Sequence, residues 1–233
     1  MSDNLIRLAV LDMAGTTVAD DGLVVRSFEA AATAVGLPEH GTEREQARQY
    51  VLDTMGQSKI TVFRALLGDE DRAQQANTAF ESAYAAAIDD GHARPIDGAA
   101  EAITRLRDGG VQVALTTGFS GATQEKLLAA LGWQTIADLA LAPGDGVRGR
   151  PYPDLILTAL MRLGVDAVAD VAALGDTTSD VDSALRAGCA VAAGTLTGAH
   201  DEEHLRSAGA THVVTNVGEF ADLILTSNRT VKG

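Results

Sequence analysis

The chain predicts an α/β protein, a Rossmann-like parallel sheet core carrying an inserted all-helical cap. Three observations lead there. A short apolar run, Leu8 to Leu11, ends in Asp12 and a glycine turn at Gly15, the pattern of a buried strand that delivers a polar residue at its carboxyl end. From Pro95 onward, short apolar runs alternate with helical stretches, as in parallel sheets covered by helices. Between about Asp20 and Arg94 only helical spacing is found. The expected division is a catalytic core of residues 1–19 and 95–233 and a helical cap of residues 20–94.

Taken in order, the opening strand runs into an acidic turn, Asp20-Asp21-Gly22. Val25, Phe28, Ala32 and Val35 then recur at three- and four-residue intervals, with Gly36 as a stop. A second helix is expected over Glu43 to Met55. A third starts near Ser58 and carries Ile60, Phe63, Leu66 and Leu67 before Gly68. Glu70 to Ile88 reads as a long helix, rich in alanine, the strongest helix former. In the core, Ala99 to Arg107 is a helix stopped by Asp108-Gly109-Gly110, and Val111 to Leu115 is a strand ending at Thr116-Thr117-Gly118. Helices are expected over Gln124 to Leu131 and Pro153 to Leu163. A strand at Asp170 to Leu174 ends at Gly175-Asp176, and a helix at Ser179 to Ala187 follows. A strand at Ala190 to Ala193, a turn and strand through Val214, and a helix at Phe220 to Leu225 close the fold. The polar tail Thr226 to Gly233 is expected to fray.

Composition narrows the partners. With 233 residues, 46% of them hydrophobic, a substantial core can form. The net charge of −14 disfavours nucleic acid and anionic membrane surfaces as partners. It leaves room for a small anionic substrate, because local cations and helix N-termini outweigh a screened distant field. The single cysteine, Cys189, forms no internal disulfide and reads as a small core residue. Met1 to Asn4 is polar and no run approaches the ~20 apolar residues of a membrane span. A soluble cytoplasmic protein is expected.

Polar residues gather at the expected strand ends. Asp12 follows the first strand, Thr117 and Gly118 the second, and Asp176 and Asp180 a later one, while Arg150 stands in Gly149-Arg150-Pro151-Tyr152-Pro153. Singly, each has an ordinary reading: a turn or cap aspartate, a strand-end threonine, a surface arginine, a first-turn acid. Together they make a phosphoryl site. Asp12, Asp176 and Asp180 offer hard oxygen ligands of the kind Mg²⁺ takes. Three neighbouring carboxylates repel unless a cation intervenes, and that cation also polarises phosphoryl oxygens. Thr117 and amides near Gly118 can hydrogen-bond the phosphoryl group, and the planar fork of Arg150 can hold Asp12 and a phosphoryl oxygen. His92 and the other histidines are isolated and receive no role. His200-Asp201-Glu202-Glu203-His204 reads as a solvated acidic loop, because no third metal partner is apparent.

These motifs resemble the haloacid dehalogenase superfamily of aspartate-nucleophile hydrolases, in order along nearly the whole chain. They are most similar to its phosphonatase branch, through Asp12-Met13-Ala14-Gly15-Thr16-Thr17, Met55-Gly56-Gln57-Ser58-Lys59-Ile60, Thr116-Thr117-Gly118, Gly149-Arg150-Pro151-Tyr152-Pro153 and Gly175-Asp176-Thr177-Thr178-Ser179-Asp180. Most superfamily phosphatases have an aspartate where this chain has Ala14 and a lysine where it has Arg150. Those two replacements, with Lys59, are marks of the phosphonatase branch. The resemblance implies Asp12, Lys59 and Arg150 as catalytic residues. It implies Mg²⁺ held at Asp12, Ala14, Asp176 and Asp180, and Thr16, Met55, Thr117 and Gly118 at a small anionic phosphonate or phosphate. An inserted helical cap over the sheet's active edge is expected to open and close on the substrate, and the resemblance implies a possible homodimer through the caps.

Ala14 and Lys59 belong to one mechanism. Ester hydrolysis expels an alkoxide that a neighbouring acid protonates, and Ala14 supplies no acid. Breaking a carbon–phosphorus bond expels a carbanion, which needs an electron sink. A lysine imine with a substrate aldehyde provides one. Apolar neighbours and a helix N-terminus both disfavour the ammonium form of Lys59. The chain departs from the branch at Val62, where a histidine is usual, at Phe119, where a tyrosine is usual, and at Gly22-Leu23-Val24, where a cysteine is usual. Three readings follow: C–P hydrolysis through Lys59, a phosphoglycolate-type phosphomonoesterase in which Lys59 is a charge contact, and a phosphate-ester binding protein with little turnover. Halide displacement is disfavoured, since Asp176 and Asp180 suggest a metal that such chemistry does not need.

Overall fold

The computed structural model describes residues 5–232. The polar start Met1–Asn4 and the last residue of the tail, Gly233, lie outside the described residues. The sheet is built from β1 (Leu8–Asp12), β2 (Gln112–Thr116), β3 (Leu139–Leu141), β4 (Val171–Gly175), β5 (Val191–Thr195) and β6 (His212–Val214). All pairings are parallel, in the order β3-β2-β1-β4-β5-β6. Every residue of β1 is buried, as a central strand covered on both faces requires. Strand order reverses at β1, which pairs with β2 on one side and β4 on the other. A crevice therefore opens at their carboxyl ends, and Asp12, opposite Thr116, stands in it.

Four helices lie between β1 and α5 (Ala99–Asp108): α1 (Leu23–Ala34), α2 (Thr42–Asp53), α3 (Lys59–Leu67) and α4 (Glu70–Asp89). The helical spacing read from the sequence places each within a few residues. Asp20 starts α1, its carboxylate accepting the amides of Gly22 and Val24 at 3.1 Å each. The helices α1 and α3 pack against α4. A seam of rings runs through them: Phe28–Phe63 at 6.1 Å between centroids, Phe63–Phe80 at 6.2 Å and Phe80–Tyr84 at 6.1 Å. It ends on Phe119, in the turn after β2, 4.4 Å from Tyr84. The apolar interior of the helical segment is thus continuous with a loop of the sheet. Burying each ring contributes about 1.5–3 kcal/mol. The two connecting stretches run side by side: the Ala19 amide donates to the Arg94 carbonyl at 3.0 Å, and the Ile96 amide to Thr17 at 3.0 Å.

The remaining helices are α6 (Gly121–Ala130), α7 (Asp154–Arg162), α8 (Thr178–Ala187), α9 (Glu202–Ser207) and α10 (Val217–Lys232). Three expectations need correction. The strand β3 was not foreseen, because Leu-Ala-Leu is short, lacks β-branched residues and is fixed only by pairing with β2. The acidic stretch after His200 is the short helix α9, capped by Asp201 accepting the His204 amide at 3.0 Å. The tail does not fray: α10 continues to Lys232. Its buried Asn228 accepts the Ile6 amide and donates to the Ile6 carbonyl, both at 2.8 Å. Cys189 is half-buried against an apolar cluster, and burial pushes its thiol up to about 12. Among the described residues no helix is long and apolar enough to cross a membrane.

Candidate active site

The turn after β1 is shaped by what it must approach. Gly15 has φ 84°, and a Cβ there would run into the Asp176 carboxylate. Glycine alone serves both needs. The Thr17 hydroxyl donates to the Asp12 carbonyl at 2.9 Å and fixes the turn. Thr16, expected at the substrate, is fully buried and donates to Asp176 Oδ1 at 3.4 Å, so it supports that carboxylate.

Asp12, Asp176 and Asp180 converge as expected. All three are buried, with carboxylate oxygens within 4.8 Å of one another. Arg150 lies among them, with Nη1 bonded to Asp180 and Nη2 2.6 Å from Asp12 Oδ1. That second approach is an ion pair off the N–H direction, and Nε has no acceptor although it is buried. Burial holds the Asp12 carboxyl up at about 7, with Asp180 adding to the rise and Arg150 opposing it. Asp176 is raised for the same first reason, with Asp12 and Asp180 adding to it. One guanidinium does not neutralise three buried carboxylates, and such a set suits a divalent cation with oxygen ligands. Asp180 also closes a capping box at α8, its Oδ2 taking the Thr177 amide at 3.1 Å and the Thr177 hydroxyl at 2.5 Å. With Oδ1 on Arg150 as well, both its oxygens are engaged. Of the three, Asp12 and Asp176 lie on the cavity wall and Asp180 does not. Ala14, beside them, has only its backbone carbonyl to offer.

Over these carboxylates lies a cavity of about 550 Å³, walled in part by Thr117, Gly118, Met55 and Lys59. The Thr117 hydroxyl accepts the Phe119 amide at 3.2 Å and keeps its own proton to donate. Gly118 is needed for close approach, since a Cβ there would lie 2.5 Å from the Gln57 carbonyl and 2.9 Å from that of Gly56. The Lys59 amide donates to the Gly118 carbonyl at 3.3 Å. These contacts hold the loop before α3 against the carboxyl edge of the sheet. Lys59 is half-buried, its Nζ 5.6 Å from the Phe119 ring centre and 5.8 Å from that of Phe80. Burial, then the charge of Arg150, lower its pKa to about 8, against the opposing pull of Asp20, Asp12 and Asp176.

The departures at positions 62 and 119 are apolar and buried, Val62 facing the ring seam and Phe119 within it. A hydroxyl stands one ring away, on Tyr84, buried and without a partner. The sequence reading missed several further groups. Asp20, Asp21, Arg94 and Asp97 line the cavity, yet the first two were legible only as a turn. Thr197 to Ala199 straps Asp176, with the Ala199 amide donating to Oδ2 at 2.7 Å and the Thr197 hydroxyl to the Gly15 carbonyl at 2.7 Å. His200 is not idle: its Nδ1 accepts the Thr178 amide at 2.9 Å at the start of α8. No local sequence signal marks the Asp21–Arg94 pair, the Thr197–Ala199 strap or His200, because each acts across 22 residues or more.

Comparison with known proteins agrees with this geometry. A family model described as haloacid dehalogenase-like hydrolase matches residues 6–188. The chain is 28% identical over 202 residues to a phosphonoacetaldehyde hydrolase of Nitratidesulfovibrio vulgaris, covering 80% of this chain and 70% of that protein. It is 27% identical over 205 residues to a Dickeya dadantii protein named "Probable phosphatase IndB", covering 86% of each. Among solved structures, a phosphonoacetaldehyde hydrolase-like protein from Oleispira antarctica superposes with a TM-score of 0.82 at 22% identity, over 98% of this chain and 95% of that one. The match over most of the chain, the parallel sheet and the aspartate at the end of its central strand agree: the chain belongs to the haloacid dehalogenase-like hydrolases.

Proposed function

We propose that the protein is a Mg²⁺-dependent phosphonatase-like hydrolase that cleaves the C–P bond of phosphonoacetaldehyde or a related small phosphonate. The observation that carries this reading is the placement of Lys59. Its amine is lowered toward neutrality on the wall of the cavity that Asp12 floors, beside a residue 14 that has no acid to give an oxygen leaving group. The phosphonoacetaldehyde hydrolase relatives support the same reading.

In the proposed sequence, residues 20–94 act as a cap that closes over the substrate, excluding water. The unprotonated Lys59 amine adds to the substrate aldehyde, and uptake of one proton with loss of water gives an iminium. Asp12 attacks phosphorus, forming an acyl phosphate, while the C–P electron pair moves into the iminium to leave an enamine. Water cleaves the aspartyl phosphate to phosphate. The enamine takes up a proton and is hydrolysed to the free aldehyde and Lys59. Thr117 and the amides near Gly118 hold phosphoryl oxygens, and Arg150 orients Asp12. Bound at Asp12, Asp176 and the Ala14 carbonyl, with Asp180 behind, Mg²⁺ would offset the carboxylate charge and polarise the phosphoryl group.

The second reading is a phosphomonoesterase of the phosphoglycolate type, with Lys59 a charge contact, and the phosphatase name of the Dickeya relative favours it. Phosphate release from phosphonoacetaldehyde and from phosphoglycolate, with native, Lys59→Arg and Asp12→Asn protein, separates the two. We expect Lys59→Arg to lower aldehyde-phosphonate turnover by about 10²-fold or more and Asp12→Asn to abolish it. Native kcat/KM should rise with pH through a midpoint near 8 and level off above it, as the Lys59 amine loses its proton. Borohydride with substrate should trap an adduct on Lys59. Full turnover by Lys59→Arg would sink the imine route, and hydrolysis of esters alone would favour the second reading.

A further inference from the structure

The far side of the cavity carries a charge pattern that bears on the substrate. Among the described residues, Lys59 and Arg94 are the cations on its wall, and Arg94 is already paired with a carboxylate. Arg94 lies at the mouth in a two-pronged pair with Asp21, Nε 3.0 Å from Oδ2 and Nη2 2.9 Å from Oδ1. Lys59 is within the field of Asp20, whose own oxygens are held in place by the first amides of α1. Asp97 adds a further exposed acid to the same wall. A divalent cation would answer Asp12 and Asp176, but the remaining wall still holds three carboxylates against two cations. A phosphoryl ligand whose other end is a second anion meets like charge there, and such juxtaposition opposes binding.

We propose that the Asp21–Arg94 pair, backed by Asp20 and Asp97, is a specificity element that admits a phosphoryl substrate with an uncharged tail and rejects one with a carboxylate tail. It deepens the function proposed above and rests on that reading's placement of the phosphoryl group at Asp12. Asp21 keeps Arg94 occupied, so the cation nearest the mouth is withheld from an incoming carboxylate. Asp21 has φ 46°, a left-handed conformation that asparagine tolerates as well as aspartate. Asp21→Asn therefore removes the charge and leaves the turn.

The test uses two matched ligands without an aldehyde, 2-hydroxyethylphosphonate and phosphonoacetate, titrated calorimetrically into the Mg²⁺-loaded protein. In the native protein the carboxylated ligand should bind at least about tenfold more weakly. Asp21→Asn should shift the ratio of the two affinities about tenfold toward phosphonoacetate, by releasing Arg94. The double variant Asp21→Asn/Arg94→Gln should lose that gain. Equal or tighter native binding of phosphonoacetate overturns the proposal, as does an unchanged ratio in Asp21→Asn or a gain that survives Arg94→Gln. Failure of both ligands to bind removes the phosphoryl-site reading and this proposal together. Failure of the imine route alone leaves these affinities as expected, because neither ligand can form an imine.

Discussion

At the scale of single residues, the site is governed by the cost of burying charge. Asp12 has a guanidinium beside it and still stands at about 7, because burial and Asp180 outweigh Arg150. A carboxyl raised in the fold above its ordinary value binds an extra proton there between about pH 4 and about pH 7. Its contribution to the stability of the metal-free protein is present at low pH and is lost as pH rises through about 7. Mg²⁺ prefers the ionised carboxylates, so its stabilisation grows in the same window. Thermal unfolding with and without Mg²⁺ should show a larger gain at about pH 8 than at about pH 5. An equal gain at both would mean that the ion does not sit on these carboxylates. The residues of this site were readable in part. Asp12, Asp176 and Asp180 stood out because each follows an apolar run or opens a helix. Arg94 and Asp20 did not, because a salt bridge between the two connecting stretches and a charge acting on Lys59 leave no mark in the neighbouring sequence.

At the scale of elements, helices were legible and short edge pieces were not. The stretches that became α1 to α4 show helical spacing over nine residues or more, which local geometry alone enforces. The strand β3 is three residues long and exists because β2 offers it a partner. The end of α10 misled for a related reason. Thr226 to Lys232 is polar, yet Asn228 is turned inward to satisfy both backbone groups of Ile6. Replacing Asn228 with Ala leaves a buried amide and carbonyl without partners, and chemical denaturation should show a loss of about 2 kcal/mol. A change below about 0.5 kcal/mol would show that water takes over the pairing and that the tail is held by its apolar face alone.

At the scale of the whole molecule, a net charge of −14 surrounds a site proposed to take an anion. The surface field repels a doubly charged phosphonate at long range, and salt screens it over about 10 Å at 0.1 M. With Mg²⁺ saturating, kcat/KM for the proposed substrate should therefore rise as ionic strength goes from about 20 to about 200 mM. A steep fall instead would mean that a local cationic funnel overrides the global charge. The same scale holds the link between helical segment and sheet, where Phe119 closes the ring seam and Gly118 admits the loop that precedes Lys59.

Order along the chain was enough for the parallel sheet, the place of the helical segment and the aspartates at the strand ends, because periodicity and strand-end chemistry are local properties. Tertiary structure alone decided which oxygens of Asp180 are already engaged, that Thr16 supports Asp176, that Phe80 and Phe119 flank the Lys59 amine, and that Arg94 is paired with Asp21. These are outcomes of burial and of charges meeting across the fold, and neither distance nor dielectric surroundings can be read from residues taken one after another.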